Sequence, residues 1–387
     1  MRKRRICIDM SHLIPGKGGS GGGITTYSQN LLKHMDAYAG RGEVEVMCLR
    51  HQEFKGLDDL KNIQTVTVTA ALDKPLVRAL WLQLYLPFFC YRNKVDVLHR
   101  VTPEIPLVKA CTYICTVHDL MFDFYLSSPR LKRQLSRGAS LKFRILRRMT
   151  GNALAKSDRV IVPSAAIKEE AISRYGVPGA KIEVIHEASD KDWPYREPSY
   201  NSPVLRIAVI AGFYPHKGHL KVLELVKKLV ESGFNELHVY FRGNPGFDNY
   251  LEEVRKTVRD LSLTGYVTFV PFTAQVREQD IYASYDVVML LSEYEGFGLP
   301  VLEAQAHQIP LFCSDIPVFR EILGDSAFFV RPDLDQEGVR EIREALTNPR
   351  ALAEFVIRGR ENIGRYSWDA MSARTYALYT ATANHKP

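Results

Sequence analysis

Cysteine and tryptophan are scarce in this chain of 387 residues, which contains six cysteines and three tryptophans. The cysteines are scattered, and most of them lie in apolar, β-like segments, so a small disulfide-stapled module is excluded. Cys111 and Cys115 have a C-x3-C spacing without a second Cys/His pair, and we therefore predict no metal site there. Six reduced thiols are what a cytoplasmic protein would carry.

Long apolar runs are also missing. The longest candidate, Ala79–Cys90, is shorter than the roughly 18 residues that span a bilayer, and it contains a glutamine and a proline. The basic start, Arg2–Arg5, resembles the first part of a signal peptide, but Asp9 soon interrupts the apolar stretch after it. We expect a cytoplasmic protein without an export signal, in solution or peripheral at the inner face of the cytoplasmic membrane.

Charge is distributed unevenly along the chain. Residues 1–200 carry 31 basic and 20 acidic side chains, whereas residues 201–387 carry 20 and 24. A basic half indicates an anionic partner, such as nucleic acid, a phosphorylated ligand or a membrane surface, although chance and solubility would also explain it. No nucleic-acid recognition module is present, so we predict no nucleic acid as a partner.

Short β-branched runs alternate with segments of helical period over the whole length, which predicts an α/β fold with parallel sheets. The predicted strands are Ile6–Asp9, Val44–Leu49, Val95–His99, Thr112–His118, Arg159–Pro163, Lys181–Ile185, Leu205–Ala211, Glu236–Arg242, Tyr266–Pro271, Val287–Leu291, Pro310–Ser314 and Ala327–Val330. A polar, proline-rich linker, 191–203, separates two doubly wound Rossmann-like domains, 1–190 and 204–365. Ligands are expected at the carboxyl ends of the strands, in a cleft between the domains.

Two features of the first domain have the composition of ligand-binding loops. A glycine-rich segment that ends in Gly22 and Gly23 follows the first strand and precedes a helical pattern, an arrangement that lets backbone N–H groups approach a phosphate. The segment matches neither of the two common phosphate-binding patterns, G-x-x-x-x-G-K-[ST] and G-x-G-x-x-G. The alternative, a glycine-rich loop that binds no ligand, therefore remains. His118 follows a later strand and would donate to a ligand hydroxyl or phosphate, or serve a structural role.

Two loops of the second domain are more specific. The first contains Gly212, His216 and Lys217 before a helix, and such cations suit a diphosphate, although a solvated loop is the alternative. The second places Glu295 in a glycine-containing loop and Glu303 about one turn into the following helix. A sugar nucleotide requires a carboxylate that accepts hydrogen bonds from vicinal hydroxyls and backbone N–H groups that face a phosphate.

The Glu295-x7-Glu303 pattern within E-G-F-G-L-P-x-x-E resembles the signature of the family 4 retaining glycosyltransferases, which have the GT-B fold. The resemblance covers nearly the whole chain. Its other matching segments are Gly21–Ile24, Val117–Leu120, Val162–Ser164, Ser314–Asp315 with Glu321, and Ser367–Trp368 at the start of a C-terminal helix, 366–387, that would cross back to the acceptor-side N-terminal domain.

The resemblance implies a role for each site residue. Glu303 would hold the ribose of the donor, and Glu295 would hold the transferred sugar together with the backbone of Phe297, Gly298 and Leu299. Lys217 would hold the diphosphate, helped by the Gly22 and Gly23 loop, and His118 would contact the sugar or the reacting centre. His216 stands where the family usually has arginine, so one cation depends on pH or is missing. Ile309 stands where the family usually has glycine, which leaves the nucleobase pocket undefined.

The implied reaction is a retaining hexosyl transfer without a metal ion or other cofactor. The donor would be a nucleotide-diphosphate sugar, with mannose as a guess, and the acceptor a glycan or a lipid-linked glycan of a surface polysaccharide or lipopolysaccharide. Two alternatives stay open, a non-catalytic nucleotide-sugar-binding homologue and a nucleotide-sugar epimerase. The Asp333–Asp335 segment has a metal-binding D-x-D spacing, but its position before a helix favours a capping loop.

A basic segment, 130–148, carries eight basic side chains and no acidic one, interleaved with apolar residues. Arg144, Arg147 and Arg148 would place an anionic membrane on the acceptor side, and a solvated basic helix is the alternative. A second apolar cluster, Trp81, Tyr85, Phe88 and Phe89, favours a buried helix over the alternative, a membrane wedge.

Overall fold

The structure is a computed structural model, and it describes residues 2–14, 22–190, 203–270 and 281–384. The chain forms two compact units, the first built from Met1–Glu187 with Ser367–Pro387 and the second from Ala188–Tyr366. Each unit contains one parallel β-sheet, which confirms the predicted α/β class with two Rossmann-like domains. Except for Pro203, the predicted linker 191–203 lies outside the described residues.

The first unit contains a seven-stranded sheet of order β3-β2-β1-β4-β5-β6-β7. Its strands are β1 (Arg4–Met10), β2 (Val44–His51), β3 (Ile63–Val68), β4 (Val97–Arg100), β5 (Thr112–Thr116), β6 (Arg159–Val162) and β7 (Ile182–Val184). The strands in the middle of the sheet are continuous buried runs because helices cover both faces of a parallel sheet. β3 is an edge strand that the sequence prediction missed.

Helices connect these strands. They are α1 (Gly22–Ala39), α2 (Pro75–Leu80), α3 (Leu86–Arg92), α4 (Met121–Ser127), α5 (Pro129–Gln134), α6 (Arg137–Lys156) and α7 (Ala165–Tyr175). A π-helical turn, Trp81–Tyr85, joins α2 to α3 without a break. Serine side chains begin several of these helices by accepting a backbone N–H bond, as Ser136 does for α6 and Ser164 for α7.

The second unit contains a six-stranded sheet of order β10-β9-β8-β11-β12-β13. Its strands are β8 (Leu205–Ile210), β9 (Leu237–Arg242), β10 (Val267–Val270), β11 (Val287–Leu290), β12 (Leu311–Ser314) and β13 (Phe328–Val330). Its helices are α8 (His219–Glu231), α9 (Asp248–Asp260), α10 (Leu299–Ala306), α11 (Pro317–Leu323), α12 (Gln336–Thr347) and α13 (Pro349–Ile363). Apolar side chains of β8, β9 and α8 form the centre of its core.

The C-terminal helix α14 (Trp368–Asn384) belongs to the first unit, where it packs on α1. The Tyr38 hydroxyl donates to Asp369 at 2.8 Å, and the Ser372 hydroxyl donates to the Leu31 carbonyl at 3.1 Å. The chain therefore returns to its first unit after completing the second.

Both sheets reverse their strand order once. The chain runs outward from β1 to β3 and returns to place β4 on the other side of β1, and it does the same at β8 and β11. Loops that leave the carboxyl ends of such a strand pair diverge, which makes the two reversal points the expected ligand sites of the fold.

The predicted burial of the aromatic cluster around Tyr85 is wrong. Tyr85 is 48% and Phe88 is 61% exposed, because the continuous helix turns Leu82, Leu86 and Cys90 toward the sheet instead. Within the described ranges, no helix is long and apolar enough to cross a membrane.

Candidate active site

The reversal point of the second sheet brings together the two loops that the sequence singled out. One follows β8 and the other follows β11. Gly218 has φ +73°, and a Cβ atom there would lie 1.9 Å from the Leu291 carbonyl oxygen, so the residue must be glycine. The Glu293 N–H donates to the His216 carbonyl at 2.7 Å, which joins the two loops directly.

Lys217 and Glu295 form an ion pair across these loops. The Lys217 ammonium lies 2.8 Å from each oxygen of the Glu295 carboxylate. The side chains are 21% and 12% exposed, so the pair is mostly buried and keeps a small accessible surface. The resemblance assigns one residue to a diphosphate and the other to a sugar, and the fold places them in contact.

His216 does not supply the second cation. Its side chain is buried, and burial lowers the pKa of the imidazole well below its ordinary value, with the charge of Lys217 adding to the effect. The lowered pKa favours the neutral ring at neutral pH. Of the two possibilities that the sequence left open, it therefore favours the missing cation over the pH-dependent one.

Helix α10 begins at the second loop. Gly298, its N-cap residue, has φ +90°, and a Cβ atom there would lie 2.7 Å from the Phe319 ring. Pro300 occupies the first turn, and no side chain of the described residues caps this end. The Phe297 side chain is buried and anchors the backbone of this segment, whereas the Leu299 side chain is partly exposed.

Gly212 lies in the other loop, the one that follows β8, where it is packed against the ring of Tyr214.

Glu303 lies on α10, where a tyrosine that the sequence did not single out holds it. The Tyr282 hydroxyl donates to Oε2 of Glu303 at 2.8 Å. The Tyr282 ring is buried and stacks on His307, with ring centroids 4.6 Å apart and planes within 8°. Tyr282 belongs to no motif, and only its position before β11 would have suggested it.

His118 follows β5 in the first unit. Its Nδ1 lies 2.8 Å from a carboxylate oxygen of Glu187 and its Nε2 lies 3.1 Å from the Val101 carbonyl oxygen. The Tyr27 ring contacts the imidazole edge to face at 4.7 Å. The sequence missed Glu187, although it follows β7 directly and so lies at the same edge of the sheet as His118. These contacts fix the orientation of the imidazole.

Gly22 and Gly23 form the first turn of α1 rather than the loop that the sequence predicted. A Cβ atom on Gly22 would meet no heavy atom of the described residues within 4 Å. The preceding glycines lie outside the described residues.

The three arginines that the sequence assigned to a membrane surface, Arg144, Arg147 and Arg148, lie on α6 and differ in their contacts. Arg147 pairs at 2.9 Å with Asp123, a buried carboxylate that also accepts from the Tyr175 hydroxyl. Arg144 and Arg148 are exposed. Arg147 therefore neutralises a buried charge, and only the other two are suited to an external anion.

Asp335 caps α12 by accepting the Gly338 N–H at 2.7 Å. The D-x-D spacing is a helix-capping loop, as its position in the sequence indicates.

We expect acid to destabilise this protein partly through histidines that are buried in the folded state. Burial lowers the pKa of His219 to about 3, and the ring packs among Phe213, Phe241 and Tyr250. Below about pH 6.5 the unfolded chain binds a proton that the folded chain does not, so stability falls as the pH falls. His219→Phe should remove about 2 kcal/mol of the loss between pH 7.5 and 5.0 in urea unfolding. An unchanged loss in the variant would contradict this assignment.

Comparisons with known proteins agree with this geometry. The family described as Glycosyl transferases group 1 matches residues 198–362, and Glycosyltransferase Family 4 matches residues 21–193. The O-antigen chain mannosyltransferase RfbU of Salmonella typhimurium is 26% identical over 375 residues, which cover 95% of this chain and 97% of that protein.

Solved structures share the fold. Sucrose-phosphate synthase from Thermosynechococcus elongatus superposes with a TM-score of 0.72 at 17% identity, covering 98% of this chain and 99% of the other. Anabaena HepE in complex with UDP-glucose superposes with a TM-score of 0.71 at 17% identity, covering 97% and 99%. The sheets, the E-x7-E loop and both family matches lead to one conclusion: the chain belongs to glycosyltransferase family 4 and has the GT-B fold.

Proposed function

We propose that this protein transfers mannose from a nucleotide-diphosphate sugar to a growing glycan or lipid-linked acceptor in surface polysaccharide biosynthesis. The anomeric configuration would be retained, and no metal ion would take part. The choice of mannose is supported by RfbU, whose name describes an O-antigen chain mannosyltransferase and which matches this chain over nearly its full length.

The observation that carries the proposal is the contact between Lys217 and Glu295 beside the start of α10. A nucleotide sugar has a diphosphate, which needs positive charge, next to a hexose, whose hydroxyls need acceptors. Lys217, the N–H groups of the helix start and the Glu295 carboxylate supply these groups within one pair of loops.

A donor would change the partners of this ion pair. The Lys217 ammonium would turn from Glu295 to the diphosphate, and the released carboxylate would accept hydroxyl protons of the sugar. Glu303 would accept the ribose hydroxyls, with Tyr282 fixing one carboxylate oxygen. As the bond to the sugar breaks, Lys217 and the helix start would stabilise the charge that develops on the diphosphate.

Retention would follow from a front-face displacement, in which the acceptor hydroxyl attacks the anomeric carbon from the side of the departing phosphate oxygen. His118, held by Glu187 and Val101, would contact the sugar or the reacting centre. Because the orientation of its imidazole is fixed, His118 is better suited to positioning a substrate group than to moving together with that group.

We also propose that the acceptor is reached at a membrane surface. The exposed face of α6 carries Arg137, Arg144 and Arg148 beside Leu141 and Ile145, which are 59% and 52% exposed. Basic and apolar side chains on one helical face are typical of contact with anionic lipid.

Nucleotide release from GDP-, UDP-, ADP- and dTDP-sugars without added metal tests the catalytic proposal. We expect release from one donor and a loss of at least tenfold in Glu295→Ala, with Glu293→Gln in the same loop as a matched control that keeps its rate. The anomer formed, followed by NMR, should retain the configuration of the donor.

Other outcomes identify the alternatives. Donor binding without release, even with lipid-linked acceptors present, would indicate a non-catalytic homologue. Conversion of the sugar with the nucleotide linkage restored would indicate an epimerase. Equal rates in Glu295→Ala and wild type would refute the assigned role of this carboxylate.

A further inference from the structure

An apolar ridge runs along the continuous helix from α2 to α3. It consists of residues that share one face of the helix and are about half exposed or more: Leu76 (73%), Leu80 (50%), Leu84 (65%), Tyr85 (48%), Phe88 (61%) and Tyr91 (79%). Because most of them recur every four residues, they form a stripe about 22 Å long. Leu107 and Val108, 59% and 66% exposed, extend it, since the Leu107 N–H donates to the Gln83 side chain at 2.8 Å.

The fold of the first unit does not require these side chains. The opposite side of the same helix buries Leu82, Leu86 and Cys90 against the unit. Single exposed apolar residues are ordinary, but a contiguous exposed stripe marks a surface that contacts another apolar phase.

Basic side chains predominate along the apolar ridge. Residues 74–95 include four basic side chains and no acidic one, and an aspartate flanks each end: Asp73 is exposed, whereas Asp96 pairs with Arg2 at 2.9 Å. Arg78 pairs with Glu104, whereas Lys74, Arg92 and Lys94 are exposed at the two ends of the helix. An apolar stripe with positive charge at both ends complements an anionic lipid surface. Two copies of this ridge facing each other would instead bring like charges together.

Topology places the apolar ridge on the same side of the sheet as α6. The connections from β3 to β4 and from β5 to β6 run in the same direction across the sheet, whereas α1 connects strands in the opposite direction. Because parallel crossovers are right-handed, connections in one direction lie on one face. The ridge and the basic face of α6 therefore belong to one surface of the first unit.

We propose that the apolar ridge inserts into the acyl region of an anionic monolayer, with Lys74, Arg92 and Lys94 at the level of the lipid headgroups. This deepens the membrane contact proposed above: α6 supplies charge, and the ridge supplies the apolar surface that holds the protein on the membrane. The helix would lie parallel to the membrane plane.

Flotation with vesicles of 70% phosphatidylcholine and 30% phosphatidylglycerol tests this proposal. The ridge variant carries Leu80→Ser, Leu84→Ser and Phe88→Ser, all at exposed positions. The control is Ile357→Ser, because Ile357 is exposed to nearly the same degree as Phe88 but lies in the second unit. We expect the ridge variant to partition at least tenfold more weakly than wild type and the control to partition equally.

A third variant, with Arg137, Arg144 and Arg148 changed to Gln, separates the two contributions. We expect it to lose binding mainly at low salt, whereas the ridge variant should lose binding at low and high salt. Equal flotation of wild type and the ridge variant would overturn the proposal. A wild type that is dimeric in light scattering and a monomeric ridge variant would also overturn it, because the ridge would then be an interface between copies.

The catalytic proposal can fail independently. Flotation requires no donor, and nucleotide release in detergent-free buffer requires no membrane. A chain that floats through its ridge but releases no nucleotide would leave the membrane inference intact.

Discussion

Lys217→Ala should slow donor cleavage by about 30- to 1,000-fold, equivalent to roughly 2–4 kcal/mol of lost transition-state stabilisation. Lys217 is the cation in contact with Glu295, and the neighbouring His216 cannot replace it because burial keeps that ring neutral. Loss of this preorganised charge therefore removes the cation that we assign to the departing diphosphate, while the N–H groups at the start of α10 remain. Steady-state nucleotide release with a saturating donor measures the effect.

The ion pair makes a stability control necessary. Removing Lys217 leaves Glu295, which is only 12% exposed, without its ammonium partner. We expect the double variant Lys217→Ala/Glu295→Ala to recover most of any lost stability and none of the activity. A double variant more active than Lys217→Ala would show that the single variant failed through the unpaired carboxylate and not through loss of charge at the diphosphate.

Lys217→Arg is the informative second variant, because it keeps the charge and changes its shape. If charge alone acts on the diphosphate, this variant should retain far more activity than Lys217→Ala. Wild-type activity in Lys217→Ala itself would contradict the role assigned to this residue.

Much of the second unit could be predicted from sequence because its chemistry lies in contiguous segments. Glu295 and Glu303 share one loop and helix, and Lys217 follows a strand and a glycine, so motif spacing placed each of them in a loop after a strand or in the helix that follows it. The contacts that hold these side chains are harder to predict. Tyr282 contacts Glu303 in the second unit, and Glu187 contacts His118 in the first, each from another element. Contacts between residues 21 and 69 positions apart leave no periodic signal.

The errors in the sequence prediction have physical causes. β3 has the β-branched composition of a strand, but as an edge strand with partly exposed residues it lacks the continuous apolar run of its neighbours. The helix around Tyr85 is apolar on both sides, so hydropathy predicts burial, while the sheet covers only one side. His216 looks titratable in sequence, and only its burial shows that it is not charged at neutral pH.

Arg100→Ala should destabilise the first unit by about 3–5 kcal/mol, because it leaves a buried carboxylate without its partner. Asp9 and Arg100 are paired residues of β1 and β4, at the point where strand order reverses, and both are essentially inaccessible to water. The Arg100 guanidinium lies 2.5 Å from Asp9, and its Nε donates to the Glu104 carbonyl at 2.8 Å. Urea unfolding at pH 7.5, followed by circular dichroism, measures the loss.

Arg100→Met/Asp9→Leu distinguishes the cost of an unpaired charge from the worth of the pair. A buried ion pair replaced by apolar residues of similar volume is often neutral or stabilising, so the double variant should be far more stable than Arg100→Ala. If both variants are equally destabilised, the loss comes from packing and from the Glu104 contact. If Arg100→Ala unfolds like wild type, the buried Asp9 carboxylate does not depend on Arg100 for its stability. The expected result would show that the main role of Arg100 is to neutralise the buried Asp9 carboxylate, which also accepts the Ser11 N–H at 2.9 Å.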